Sequence, residues 1–458
     1  MILDGYPFKL NKGQLRFLES YISSDKHFAL LGEGGSGKSV IIDVIKRYYQ
    51  DEMVTCAMSG VANQNLFGGK GGNGTFHKVV SAPTQMATND HLRSVNEVTS
   101  KIFATSDLIK HIVIDEAFMM NSDNLYVLLR RVARFNKKNK NRKERQIRIL
   151  LVGDPLQLPP IISEMDEDYC FNRHGHHLMF RSRVWEELDP QVMILEEVMR
   201  QGCKVFKAAL NVIRFGEKDR YAGVLKWLNQ RVNYRADPKM FAVCMYNKKV
   251  NQTNERVLKA NKGRKFKYHA KLEGKFDTKE NGVDEYIELA EGMDCITLVN
   301  DPEGEYNNGS FCTIEHLTEE GAWCHFHHND SKALVPLHEY KEYETYVKKD
   351  VTQDDGSVRD EQRREEVGKC TQIPLKMAAA FSVHRSQGRT FDKEGKLDMG
   401  EGFNKRGDFG TAALYVGLSR FTKVDYIHLP TPLNKKHIKV CQDSVDFWNE
   451  TLERWKNG

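Results

Sequence analysis

The chain has 458 residues, 40% of them hydrophobic, and its 68 basic and 63 acidic side chains leave a net charge of +5. That length exceeds one ordinary core, so two or more domains are expected, and the composition excludes a disordered chain. No apolar run approaches the ~20 residues that cross a bilayer, Met1-Ile2-Leu3-Asp4 lacks the basic flank of a signal peptide, and the nine cysteines include no C-x-x-C pair, as suits free thiols in a reducing compartment.

The first predicted element is a helix with apolar positions Leu15, Phe17, Leu18 and Ile22, capped by Asn11. Gln14 falls in its first turn. An amide there can pair with an adenine edge, although a lone Gln is more often a solvated helix residue. The apolar strand His27–Leu31 then runs into Gly32-Glu33-Gly34-Gly35-Ser36-Gly37-Lys38-Ser39 and the amphipathic helix Val40–Arg47. Strand, glycine-rich turn and helix are the setting that a G-x-x-x-x-G-K-[ST] phosphate loop requires. Glycines let backbone N–H groups curl toward phosphate oxygens, and the helix adds the positive end of its dipole. Lys38 is placed to reach the β- and γ-phosphates and Ser39 to ligate Mg²⁺, so the chain is expected to bind a nucleoside triphosphate.

A buried strand follows at Met53–Gly60, then a glycine-rich stretch at Phe67–Gly74 and a short helix opening at Thr75-Phe76-His77-Lys78. Small and hydroxyl residues at a strand end suit close approach to a phosphodiester backbone. Residues 81–106 show no clean period and read as a small insertion. The strand Ile109–Ile114 ends in Asp115-Glu116. In an NTPase, Asp115 holds the Mg²⁺ shell and Glu116 polarises the attacking water. A helix at Leu125–Phe135 leads to a basic run, Lys137 to Arg145, whose ordinary reading is a solvated loop. The strand Arg148–Val152 leads into Gly153-Asp154-Pro155-Leu156-Gln157-Leu158-Pro159-Pro160, a proline-stiffened loop that holds Gln157 where a γ-phosphate could be sensed. Strands alternating with helices predict a parallel sheet, with functional loops at the strands' carboxyl ends.

In the second half a helix at Phe206–Ile213 leads to Arg214-Phe215-Gly216, Met240–Met245 is a strand and Val250–Ala260 a helix. Residues 261–285 read as a charged, irregular excursion. Met293–Asn300, Phe311–Glu315 and Ala322–His327 read as strands, with a hairpin turn at Asn307-Asn308-Gly309. Residues 296–370 form a small β insert in this reading, and Lys348–Gly368 a solvated arm. Zinc is disfavoured at Cys312, Cys324, His325, His327 and His328, which lack paired C-x₂₋₄-C spacing, and at Arg173–His177 on the same grounds. Aromatics at helical spacing in Val445–Trp455 read as core.

Together these motifs resemble those of B-type superfamily 1 DNA helicases, the branch holding RecD, the phage Dda helicase and the PIF family. Asp115-Glu116-Ala117-Phe118-Met119 is similar to D-E-x-x-M, and Gly153–Pro160 to G-D-x-x-Q-L-P-P. Leu195–Gln201 resembles the motif ending in an arginine finger, here Arg200. Val383-His384-Arg385-Ser386-Gln387-Gly388-Arg389-Thr390 resembles H-K-S-Q-G-x-T, with Arg385 for Lys. Leu414–Arg420 resembles L-Y-V-A-L-S-R, with Gly417 for Ala.

The resemblance implies an α/β chain with two RecA-like P-loop motor domains, 1–195 and 196–458. The first would carry a wedge insert at about 81–106, the second a β-barrel-like insert at about 296–370. It implies catalysis by Lys38, Asp115, Glu116, Gln157, Arg200 and Arg420. ATP would be bound by Gln14, Gly32, Gly34, Gly35, Ser36, Gly37, Lys38, Ser39 and Gly388, with Mg²⁺ on Ser39 and Asp115. DNA contacts would come from Thr75, His77, Phe103, His384, Ser386 and Gln387. The expected activity is 5′→3′ movement on single-stranded DNA and opening of a fork duplex, by a monomer that works away from membranes in the cytoplasm of a bacterial or phage-infected cell, or in a nucleus. An RNA-directed motor and an ATP-gated clamp without unwinding are the rival readings.

Overall fold

A computed structural model describes residues 9–69, 72–100, 109–138, 146–197, 203–237, 240–278, 283–306, 308–352, 358–401 and 410–457. The chain packs as two units, residues 1–250 with 381–458, and residues 251–380.

Among the described residues, the first unit is built on two sheets. The larger has the order β2-β3-β4-β1-β5, with β1 at Phe28–Gly32, β2 at Met53–Ala57, β3 at His111–Asp115, β4 at Arg148–Gly153 and β5 at Gln191–Leu195. All its pairings are parallel. Alternate residues feed opposite cores because a strand's side chains point to opposite faces. Phe28 and Leu30 pack with Phe17, Leu18 and Tyr21 of the Lys12–Ile22 helix and with Ile41 and Ile45 of the Lys38–Tyr49 helix. Ala29 and Leu31 join the opposite core with Leu125, Leu128 and Val132 of the Ser122–Lys138 helix. A sheet covered on both faces needs near-continuous apolar strands, and these five supply them. The Gln442–Asn457 helix returns to that second core through Val445, Phe447 and Trp448. Its aromatics are therefore packing groups, with Phe447 stacked on Phe180 at 4.6 Å between centroids.

The smaller sheet orders Ala380–Ser382, Ala242–Cys244, Gly395–Asp398 and Ile427–His428, with parallel pairing of Gly395–Asp398 to both its neighbours. The Ala413–Ser419 helix is buried throughout and ends at Arg420.

In the second unit an antiparallel sheet orders Lys332–Pro336, Gly321–Phe326, Phe311–Leu317, Asp294–Thr297 and Leu375–Met377. Cys295, Cys312, Cys324, Tyr306 and Phe326 lie in its core. The stretch expected to be an irregular excursion holds strands at Lys265–His269 and Lys271–Gly274. Charge on the exposed positions hid the alternation that buries Tyr268. The expected solvated arm is likewise a ribbon of His338–Thr352 paired with Val358–Gln372. Cross-strand ion pairs hold the near end of the ribbon, Lys341 with Glu366 at 2.9 Å and Lys369 with Glu339 at 3.1 Å.

Candidate active site

The phosphate loop closes on itself by contacts that only glycine permits. Gly37 has φ +86°, and a Cβ there would lie 2.2 Å from Gln14 Nε2; a Cβ on Gly32 would lie 2.4 Å from Ser36 Oγ. Lys38 Nζ donates to the carbonyl oxygens of Gly32 at 2.7 Å and Glu33 at 3.0 Å. Burial lowers the affinity of that ammonium for its proton, against the pull of Glu116, Asp154 and Asp115. Ser36 Oγ is buried with no hydrogen-bond partner among the described residues. A buried hydroxyl without a partner in a glycine-rich loop fits a loop that an anion completes. Ser39 is exposed at the loop's open side.

Asp115 and Glu116 end β3 beside this loop. Burial, reinforced by Glu116, raises the Asp115 carboxyl to about 7, although the Glu116 N–H donates to its Oδ1 at 2.9 Å. Glu116 sits at φ +52°, a left-handed conformation that β3 and the following turn impose on a non-glycine residue. Gln157 is buried; its Nε2 reaches Asp154 Oδ2 at 3.4 Å, and its Oε1 has no partner among the described residues.

The far wall comes from the smaller sheet. Arg420 is 3% exposed. Its guanidinium is held by neutral oxygens, the Val416 carbonyl, the Arg389 carbonyl and Ser419 Oγ. Burial lowers its basicity while Glu116, Tyr415 and Asp154 favour the charge. Gly388 at φ +77° approaches Ala62. A cavity of about 370 Å³ joins the walls and is lined by Gly34, Lys38, Ser39, Asp115, Glu116, Gln157, Gly388 and Arg420 among others.

The remaining expected residues lie elsewhere. Gln14 is 1% exposed, with Oε1 accepting from the Asn11 N–H in a capping box, so Nε2 is the atom that faces the loop. Thr75 precedes the Phe76–Val80 helix and bridges Ala57 at the end of β2. His77 Nδ1 contacts the Ala82 carbonyl at 3.2 Å. His384 is half-buried, and burial disfavours its charged form. Ser386 is fully buried and donates to the Val383 carbonyl at 2.6 Å, and Gln387 is buried with Oε1 unpartnered among the described residues. Phe103, Arg200 and most of the Lys137–Arg145 run lie outside the described residues. His174, in the cluster weighed for zinc, pairs with the buried Asp123 at 3.0 Å, and His327 meets Thr313 Oγ1 at 2.8 Å.

Sequence reasoning missed a buried network behind the loop. Arg214 Nη2 binds Asp154 Oδ1 at 2.7 Å and Nη1 approaches Glu33 Oε2 at 3.5 Å, while Tyr415 Oη donates to Asp154 Oδ2 at 3.2 Å. An arginine on the apolar face of the Lys204–Phe215 helix, following Phe206, Leu210 and Ile213, was the available signal.

A cleft with a phosphate loop brought by one sheet and a buried arginine brought by the other defines a P-loop NTPase with two RecA-like halves. Residues 10–221 match the family described as PIF1-like helicase. The chain is 27% identical over 436 residues to the ATP-dependent DNA helicase Pif1 of Campylobacter jejuni, covering 88% of each. It is 25% identical over 319 residues to the ATP-dependent DNA helicase RRM3 of Saccharomyces cerevisiae, covering 66% of this chain and 42% of that protein. The crystal structure of Bacteroides Pif1 bound to single-stranded DNA superposes with a TM-score of 0.81 at 21% identity, over 98% of both chains. Over residues 10–221 the chain is thus similar to the PIF1-like helicases.

Proposed function

We propose that the chain hydrolyses ATP to drive 5′→3′ movement along single-stranded DNA and opens duplex at a fork. The observation that carries this reading is the position of Arg420. It reaches from the second sheet into the cavity that Lys38, Asp115, Glu116 and Gln157 line from the first. A guanidinium placed there stabilises charge spreading over the γ-phosphate oxygens, and does so best when the cleft is shut. Hydrolysis is then tied to closure, and opening to product release.

In this reading Lys38 leaves the loop carbonyls to meet the β- and γ-phosphates. Glu116 orients the attacking water, and Gln157 offers its unpaired amide oxygen to that water or to the phosphate's shell. Ser39 and Asp115 would hold Mg²⁺, which when bound neutralises phosphate charge; the buried Asp115 carboxyl fits a cation that offsets its desolvation. Alternating grips on the DNA backbone would come from Thr75 and His77 in one half and His384 and Gln387 in the other. Ser386 would have to release Val383 before its hydroxyl could reach a phosphate. Residues 81–106 would supply the wedge.

Paired fork substrates test the reading. The expected result is unwinding of a fork with a 5′ single-stranded tail and not of one with a 3′ tail, with ATPase stimulated by single-stranded DNA more than by RNA. Opening of the 3′-tailed fork alone overturns the polarity, stimulation by RNA alone favours the RNA motor, and DNA-stimulated hydrolysis without unwinding favours the clamp. Lys38→Ala is expected to abolish hydrolysis; substantial residual ATPase would overturn the site.

A further inference from the structure

The phosphate loop carries an acid at its second position, Glu33. A carboxylate there repels the triphosphate that the loop is built to hold. The fold answers with Arg214. This residue is 3% exposed and lies in the last turn of the Lys204–Phe215 helix. Its guanidinium faces Glu33 at 3.5 Å and Asp154 at 2.7 Å, and Lys207 and Lys38 add weaker attraction at Glu33. It lies over the Trp448 ring at 4.2 Å from the centroid, which fixes its plane.

Asp154 is the junction. Its Oδ1 also accepts from the Leu156 N–H at 3.1 Å, setting the loop that presents Gln157, and its Oδ2 meets Gln157 Nε2 at 3.4 Å. The same Oδ2 accepts from Tyr415, on the helix that ends at Arg420. Arg214 thus touches the loop that binds phosphate, and through one carboxylate it reaches both the amide and the helix that complete the cleft.

We propose that Arg214 is a positioning residue with two separable roles: it screens Glu33 from the triphosphate, and through Asp154 it holds Gln157 and the Arg420 helix in register for hydrolysis. The inference rests on the ATPase reading above. It differs from a purely structural ion pair in predicting that nucleotide affinity and turnover fail for different reasons. Losing the screen exposes Glu33 and weakens binding. Losing the register slows the chemical step at saturating ATP.

The test measures the dissociation constant of a fluorescent ATP analogue, and KM and kcat for ATP with and without single-stranded DNA, on the full chain. Arg214→Met is expected to weaken binding about tenfold and lower kcat about tenfold. Adding Glu33→Gln to it should bring the dissociation constant back to within about twofold of wild type and leave kcat low. Arg214→Lys keeps the charge, but a single ammonium cannot span both acids as a planar fork does. It should bind nucleotide normally and turn over slowly. The inference is overturned if Arg214→Met moves only the thermal midpoint, if Glu33→Gln does not restore binding, or if Arg214→Lys has wild-type kcat. Should Arg214→Met not fold, the neutral but polar Arg214→Gln, with and without Glu33→Gln, carries the same comparison. A wild-type chain without DNA-stimulated hydrolysis would sink the motor reading, and the nucleotide dissociation constants would still decide the role of Arg214.

Discussion

Arg420 Nη2 stands 3.6 Å from the point that a Cβ on Gly34 would occupy. A guanidinium from the second sheet therefore lies directly over the phosphate loop of the first, and any side chain at position 34 would meet it. Among the described residues its hydrogen-bond partners are neutral oxygens, which leaves the guanidinium's charge for an anion. Arg420→Ala is expected to lower kcat at saturating ATP and single-stranded DNA by about a thousandfold. The nucleotide dissociation constant should move by no more than about threefold, since the contact strengthens chiefly in the transition state. Equal losses in binding and turnover would show that Arg420 holds the ground state instead.

Gln14 has two uses that can be separated. Its Oε1 caps the helix, and its Nε2 faces the loop at Gly37. Gln14→Glu keeps the acceptor that the capping box needs and removes the donor. The preference for ATP over GTP in kcat/KM should fall by about tenfold or more. Gln14→Ala should lose the same preference and also about 1 kcal/mol of stability in urea denaturation. Unchanged nucleotide preference in both variants would remove Gln14 from the base site.

Arg131 fastens residues 87–94, part of the stretch proposed as the wedge. From the Ser122–Lys138 helix its guanidinium donates to the carbonyls of Leu92, His91 and Ser94 at 2.6, 2.6 and 2.7 Å, and Asp123 on the same helix accepts from the Ala87 N–H at 2.6 Å. Arg131→Ala leaves these carbonyls without their donor and should cost about 2–4 kcal/mol. Amide exchange should accelerate over residues 87–94 before it does elsewhere. If the insertion acts as a wedge, fork unwinding should fall further than DNA-stimulated ATPase. A uniform rise in exchange across the first sheet would mean that Arg131 supports the core and not the insertion.

His111 makes stability depend on pH. It is buried at the start of β3 against Tyr49, and Tyr21 Oη lies 2.8 Å from its Nδ1. Burial, with help from Arg148 and Lys110, depresses its pKa from 6.5 to about 3. The unfolded chain therefore takes up a proton near pH 6.5 that the folded chain refuses until about 3. Stability from this group is complete above pH 6.5 and is lost as pH falls toward 3. His27 and His384, also depressed by burial, act in the same direction. Urea unfolding between pH 7 and 4 should show this loss, and His111→Gln should flatten the slope. An identical slope in that variant would assign the dependence to other groups.

Much of the site was legible before any fold was known, for chemical reasons. Gly32–Ser39 and Asp115-Glu116 are local arrangements in which adjacent residues meet one ligand, so their spacing along the chain carries the geometry. The capping box was legible too, since Asn11 and Gln14 stand at its spacing, although only the cap half was read. The second unit was less legible. In Lys265–His269 charged positions on the exposed face masked the period-two signal, and the ribbon from His338 to Gln372 is too rich in charge for its strands to stand out.

By itself the sequence determined that a triphosphate loop and an acid pair exist, and that buried strands alternate with helices, because each depends on neighbours a few residues apart. Only the tertiary structure decided which groups complete the cleft. Arg420 and Arg214 are both far from Lys38 along the chain; a motif resemblance marked the first and an apolar helix face hinted at the second, but neither signal places a guanidinium against the loop. Their roles arise because packing removes them from water, and a buried guanidinium must find oxygen partners: neutral ones for Arg420, poised for phosphate, and the carboxylates of Asp154 and Glu33 for Arg214.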